Sequence, residues 1–193
     1  YEQFVECRQA LSKFVENDLW KNFIKSVDTD GIIMLGGGGT QKDVVLVESV
    51  IDAKRDGEFF YAIVDISYYM LLEAFRYLQE NYEEDPINFT AVVADFTDLR
   101  GGREYLRRPN KNVAWFLPGG TLGNLREDRL LGTLIAKTEI GDLAVLGIEM
   151  VDEQEPQKQI ELLQAKYQHR KMRDFISSPL RAAWSSLDTD EKI

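Results

Sequence analysis

The spacing of hydrophobic positions changes along the chain, and each change marks an element. Phe4, Ala10, Leu11, Phe14, Val15, Leu19, Trp20, Phe23 and Ile24 recur at three- and four-residue intervals, the spacing of one face of a helix. The pattern predicts helix over residues 2–27, in two pieces divided near Asn17-Asp18. The run GIIML at 31–35 reads as a short buried strand, and it leads into four consecutive glycines. Residues 41–55, QKDVVLVESVIDAKR, read as a helix despite their valines. FFYAIVDIS at 59–67 is a second strand. Residues 67–82 form a strongly amphipathic helix with Ser67 placed to cap it. INFTAVVADF at 87–96 and NVAWFLPG at 112–119 are strands three and four. Residues 124–138 read as a helix, 142–150 as a fifth strand and 156–174 as a polar helix.

Strands that alternate with helices imply a parallel sheet with helices on both faces. Such sheets bind ligands outside the carboxyl ends of their strands, at the point where the strand order reverses. The residues at those ends therefore carry the functional question. They are Gly36–Gly39, Asp65, Asp95-Phe96 and Pro118–Asn124.

The chain has 193 residues, enough for one domain with a core of its own. Its net charge of −10 argues against a nucleic-acid partner. Arg100, Arg103, Arg107, Arg108 and Lys111 are the nearest thing to a basic patch. They read as a solvated loop, with a positive rim for an anionic partner as the sharper alternative. No apolar run approaches the ~20 residues that span a bilayer, and the N-terminus is acidic and amphipathic rather than signal-like. Cys7 and His169 are the only residues of their kinds, so an internal disulfide is excluded and no zinc site is expected. The expectation is a cytoplasmic protein that acts on a small molecule, with no nucleic-acid, membrane or metal partner.

The glycine loop sits between a strand and a helix, where backbone comes close to a nucleotide. It is not a P-loop, because Gln41 precedes Lys42 and Asp43 follows it. It is not a full dinucleotide fingerprint either, since Gln41 stands where the last glycine belongs. A plain turn remains open for the loop alone. Asp65 ends strand two and can accept both hydroxyls of a ribose; as a bland alternative, it places negative charge at the start of the next helix. Asp95 ends strand three and can accept from an exocyclic amine, with Phe96 supplying a backbone N–H and an apolar wall; otherwise it is a solvated loop carboxylate. Together, a glycine loop and two acids at three successive strand ends fit a nucleoside cradle. With no phosphate signal and acidic walls, the expected ligand is a cationic adenosine derivative such as S-adenosylmethionine (SAM).

The segments MLGGGGTQK, VDIS, ADF and FLPGGTLGNL resemble, in order and spacing, the SAM-dependent histidine Nα-methyltransferases of ergothioneine biosynthesis and their relatives. The resemblance covers roughly residues 30–150, and Gly119–Leu125 is its most specific part. It implies a class I methyltransferase fold, a Rossmann-like three-layer sandwich with a mostly parallel sheet. It implies that Gly36, Gly37, Gly38, Lys42, Asp65, Asp95 and Phe96 hold the cofactor. It implies further that Gly119 and Asn124 act in catalysis and that Gly119, Thr121, Asn124 and Tyr167 face the amino-acid substrate. Without the resemblance, Asn124 would be simply a helix N-cap and Thr121 a turn residue. This chain departs from the family at Met34, where a glutamate is usual, and at Gly37 and Gly120, where serines are usual. The expected organisation is an N-terminal helical segment (1–28), a SAM-binding core (29–150) and a helical segment (151–193) that begins a substrate domain.

The resemblance implies transfer of the SAM methyl group to an amino-acid nitrogen of the histidine α-amino type. Such a transfer depends on positioning more than on acid–base groups, and no dedicated base stands out. Tyr69 is expected to pack in its helix face rather than to line the cofactor. The alternatives are a SAM-binding module without catalysis and a nicotinamide-dinucleotide-binding domain. Because the family's substrate domain does not follow residue 150 as a compact unit, the 193-residue chain by itself is expected to bind cofactor and to methylate histidine slowly or not at all.

Overall fold

The computed structural model describes residues 2–37, 40–53, 59–96, 99, 106, 111–118, 122 and 126–148, and after these only 157, 160, 161, 164, 165 and 168. The chain divides into two units, Tyr1–Glu149 and Met150–Ile193. The first unit carries the fold. In order it contains α1 (Glu2–Val15), α2 (Asp18–Lys25), β1 (Thr29–Leu35), α3 (Thr40–Ala53), β2 (Phe59–Asp65), α4 (Tyr68–Asn81), β3 (Ile87–Val93), β4 (Asn112–Leu117), α5 (Glu127–Lys137) and β5 (Leu143–Leu146).

The break between α1 and α2 has a local cause. Asn17 is extended (φ −70°, ψ 142°), and its side chain accepts the Leu19 N–H at 2.8 Å. Asn17 thus satisfies one of the orphan donors that open a helix and ends the preceding turn. The helix over 40–53 forms despite its valines because packing outweighs propensity. Val45, Leu46, Val47 and Val50 are all buried.

The five strands form one parallel sheet in the order β3-β2-β1-β4-β5. β1 and β2 are buried along almost their whole length, which explains their unbroken apolar runs. β3 lies at an edge and alternates in exposure. Successive side chains of each strand point to opposite faces, and this divides the core in two. Ile32, Met34, Phe59, Tyr61, Ile63, Ala114 and Phe116 pack with α1, α2, α3 and α4 on one face. Ile33, Leu35, Phe60, Ala62, Val64, Val113, Trp115 and Leu117 pack on the other with Leu130 and Leu134 of α5 and with Phe96, Leu99 and Leu106. The result is a three-layer Rossmann-like α/β sandwich, as the alternation of strands and helices predicts. Among the described residues, no helix is long and apolar enough to cross a membrane.

Two expectations need correction. Ser67 occupies the N-cap position of α4 but makes no side-chain cap hydrogen bond; the Ser67 N–H donates instead to Asp65 Oδ1 at 2.8 Å. Tyr69 is not packed in its helix face: it is 82% exposed, and its ring meets Tyr68 edge-on at 5.7 Å. Buried positions of α4 are Leu71, Ala74 and Leu78, a stripe that residue 69 does not share. Of the polar helix expected at 156–174, the described residues 157, 160, 161, 164, 165 and 168 are helical, and the others lie outside the described residues. So do Arg100, Arg103, Arg107 and Arg108. Lys111 is described, and its Nζ donates to the Val27 carbonyl at 2.9 Å.

Candidate active site

In the order β3-β2-β1-β4-β5 the chain reverses direction across the sheet between β1 and β4. Ligand crevices of parallel sheets open at such a point, beyond the strands' carboxyl ends. Backbone bonds hold these ends in fixed relation. The Gly36 N–H donates to the Val64 carbonyl at 2.8 Å, and the Ala94 N–H donates to the Asp65 carbonyl at 3.0 Å. Gly36, Asp65 and Asp95 therefore stand on three adjacent strand ends. With neighbouring strands ~4.8 Å apart, the row spans about 10 Å, close to the length of a nucleoside.

Gly36 adopts φ 77°, a left-handed conformation that favours glycine. Gly37 is required for another reason: a Cβ there would run into Ile63 Cγ2. The serine usual in the resembling family would collide with β2 at this position unless Ile63 moved. A tight loop pressed onto β2 accounts for two of the four glycines. Lys42 then closes the loop from the helix side. It is buried, and its Nζ donates to the Gly36 carbonyl at 2.6 Å. Both backbone polar groups of Gly36 are thus occupied, one by β2 and one by α3.

Asp65 is half-buried, and its Oδ1 accepts the Ser67 N–H. This bond orients the carboxylate at the end of β2 while further acceptor capacity remains on the group. Asp95 is exposed at the end of β3. The Phe96 side chain is buried with Leu99 and Leu106. It anchors the loop to the core, so its apolar bulk faces mainly inward. Acceptor carboxylates beside a tight glycine turn suit an adenosine with hydroxyl and amine donors. The donor set therefore fits SAM.

Gly38, Gly119, Thr121, Asn124 and Tyr167 lie outside the described residues. The neighbouring geometry still bears on Asn124. The N-cap position of α5 is Arg126, without a side-chain cap bond, so the helix begins later than the pattern predicts and does not use residue 124 as its cap.

One polar pair went unread in the sequence. Asp43, in the first turn of α3, is wholly buried, and the Tyr61 hydroxyl donates to its Oδ1 at 2.6 Å. Oδ2 is sealed from solvent without a hydrogen-bond partner among the described residues. Burial, the largest influence, pushes the Asp43 carboxyl up from 3.8 to about 6, against the lowering effects of the Tyr61 hydrogen bond and the Lys42 charge. The same burial and the neighbouring Asp43 push the Tyr61 hydroxyl well above its ordinary range. A signal was present: Asp43 falls on the same helical stripe as Leu46, Val47 and Val50, where an acid is out of place. Among the described residues, no group of His, Cys, Asp and Glu is arranged to hold a metal ion.

No curated protein matches the chain. A family model does. The model describing histidine-specific, SAM-dependent methyltransferases aligns with residues 16–192, nearly the whole length and every strand end just described, and the chain belongs to that methyltransferase family.

Proposed function

We propose that this SAM-dependent methyltransferase transfers a methyl group to the α-amino nitrogen of histidine or a closely related amino acid. SAM supplies an electrophilic methyl group on a sulfonium centre. The chain's own residues bind and orient the reactants. In this reading Gly36, Gly37 and Gly38 bring backbone against the cofactor, and Lys42 fixes the turn through the Gly36 carbonyl. Asp65 accepts from the ribose hydroxyls, Asp95 accepts from the adenine amine, and Phe96 anchors the loop that presents Asp95.

Gly119, Thr121, Asn124 and Tyr167 would face the amino acid, with Asn124 as a partner of its carboxylate. The substrate amine has to be neutral and in line with the methyl carbon, ~3–3.5 Å away, so catalysis is mainly positioning. The carrying observation is the row of Gly36, Asp65 and Asp95 on adjacent strand ends in a chain of this family.

Incubation of the protein with SAM and histidine, followed by mass spectrometry, tests the acceptor. Slow methylation of histidine at the α-nitrogen, lost in Asn124→Ala with SAM binding retained, is the expected result for this chain alone. SAM bound without methylation of histidine or any other free amino acid would leave a cofactor-binding module and overturn the acceptor assignment.

A further inference from the structure

The row of strand ends does not account for Asp43. A residue that serves only packing would be apolar here, like Leu46, Val47 and Val50 on the same helix. Instead a carboxyl is sealed inside with one oxygen held by Tyr61 and the other without a hydrogen-bond partner among the described residues. Such burial is costly and calls for a return elsewhere. The adjacent residue is Lys42, whose buried ammonium holds the Gly36 carbonyl. A buried acid and a buried cation thus occupy consecutive positions at the start of α3, next to the turn.

We propose that Asp43 is a positioning residue for the cofactor loop: its carboxylate supplies the counter-charge that keeps the Lys42 ammonium on the Gly36 carbonyl, and through that bond it sets the turn against which SAM rests. The proposal builds on the strand-end cofactor site described above. A lysine without a counter-charge would extend its flexible stem toward water. The Gly36 carbonyl would then lose its donor, and Gly36 would keep its N–H bond to β2.

Among the described residues, two ionisable groups bear on Asp43: Tyr61 from β2 and Lys42 from its own helix. With the carboxyl raised to about 6, the counter-charge is present at neutral pH and lost in mild acid. If SAM favours the ionised form, binding near pH 6 drives the Asp43 proton into the buffer.

The test is calorimetry of SAM binding between pH 5 and 7.5 in buffers of different ionisation enthalpy. His169→Gln serves as background, because a histidine also titrates in this range. Affinity is expected to fall about fivefold from pH 7.5 to pH 5, toward a tenfold limit at lower pH, if the Asp43 pKa drops by one unit in the complex. Proton release is expected near pH 6. Asp43→Asn should bind about tenfold more weakly at pH 7.5 and release no proton. Tyr61→Phe removes a donor that favours the charged form, so it should move the midpoint of proton release to higher pH; it also keeps the test open should Asp43→Asn fail to fold. Unchanged proton release in Asp43→Asn, an unmoved midpoint in Tyr61→Phe, or pH-independent affinity would overturn the role of Asp43 alone. Absence of SAM binding at every pH would overturn the cofactor site itself.

Discussion

Asp65 has one oxygen committed to the Ser67 N–H, so its side chain is oriented before any ligand arrives. Replacing it with alanine removes the loop bond and, under the proposed cofactor binding, the acceptor for the ribose. The expected loss in SAM affinity is about 1–3 kcal/mol, the usual cost of leaving buried donors unpaired. Gly37 offers a sharper steric case. Gly37→Ala puts a Cβ where Ile63 Cγ2 already stands, and overpacking of this kind costs about 1–3 kcal/mol; urea unfolding should show it as a lower midpoint. Asp43 makes a prediction of unusual sign. Its folded pKa, about 6, lies above the ordinary 3.8, so the folded state binds the proton more tightly than the unfolded chain. Stability is therefore highest below about pH 4 as far as this group is concerned, and it falls as pH rises through about 6. Asp43→Asn should flatten that fall and be more stable than wild type at pH 7.5, by up to roughly 3 kcal/mol. A destabilised variant, measured by denaturant unfolding at both pH values, would contradict the sign.

At the scale of elements, much of the fold was readable because period and packing agree. The break between α1 and α2 follows from one capping residue, Asn17. The unbroken apolar runs of β1 and β2 mark strands covered on both faces, and the alternating exposure of β3 marks an edge. Element ends were less legible, because they depend on which of several polar groups wins a local bond. Ser67 looked like a cap, yet Asp65 two residues earlier took its amide. The start of α5 looked like Asn124, and the cap position is Arg126. Positions of Gly36, Asp65 and Asp95 at strand ends follow directly from the pattern; the buried Asp43–Tyr61 bond does not, since it needs a contact between residues 18 apart. Packing of the N-terminal helices on the sheet is testable at Trp20. It is 1% exposed, stacks near Phe23, meets Phe14 and Phe116, and its indole N–H donates to Ser49 Oγ at 3.1 Å. Trp20→Ala should cost about 3–5 kcal/mol. A loss below about 1 kcal/mol, read from the urea midpoint, would mean that α2 is not integral to the core.

On the scale of the whole molecule, the sheet does two jobs. Its two buried faces hold the layers together, and its carboxyl edge sets three loops side by side. The net charge of −10 favours a cationic ligand over a polyphosphate through the general field of the protein. Lys42 is already engaged by Gly36, which removes the obvious phosphate partner from the glycine loop; ATP should bind far more weakly than SAM in direct competition. Occupation of the site links to folding, and SAM at a hundred times its dissociation constant should add about 2.7 kcal/mol to stability. The most direct test of the cofactor site is isothermal titration of SAM into the wild-type chain and into Asp65→Ala, with circular dichroism to establish that both are folded. Saturable one-to-one binding by the wild type is expected, with affinity weaker by about 5- to 150-fold in the variant. Equal affinity in two equally folded proteins would contradict this site, because SAM would then lie away from the ends of β1, β2 and β3.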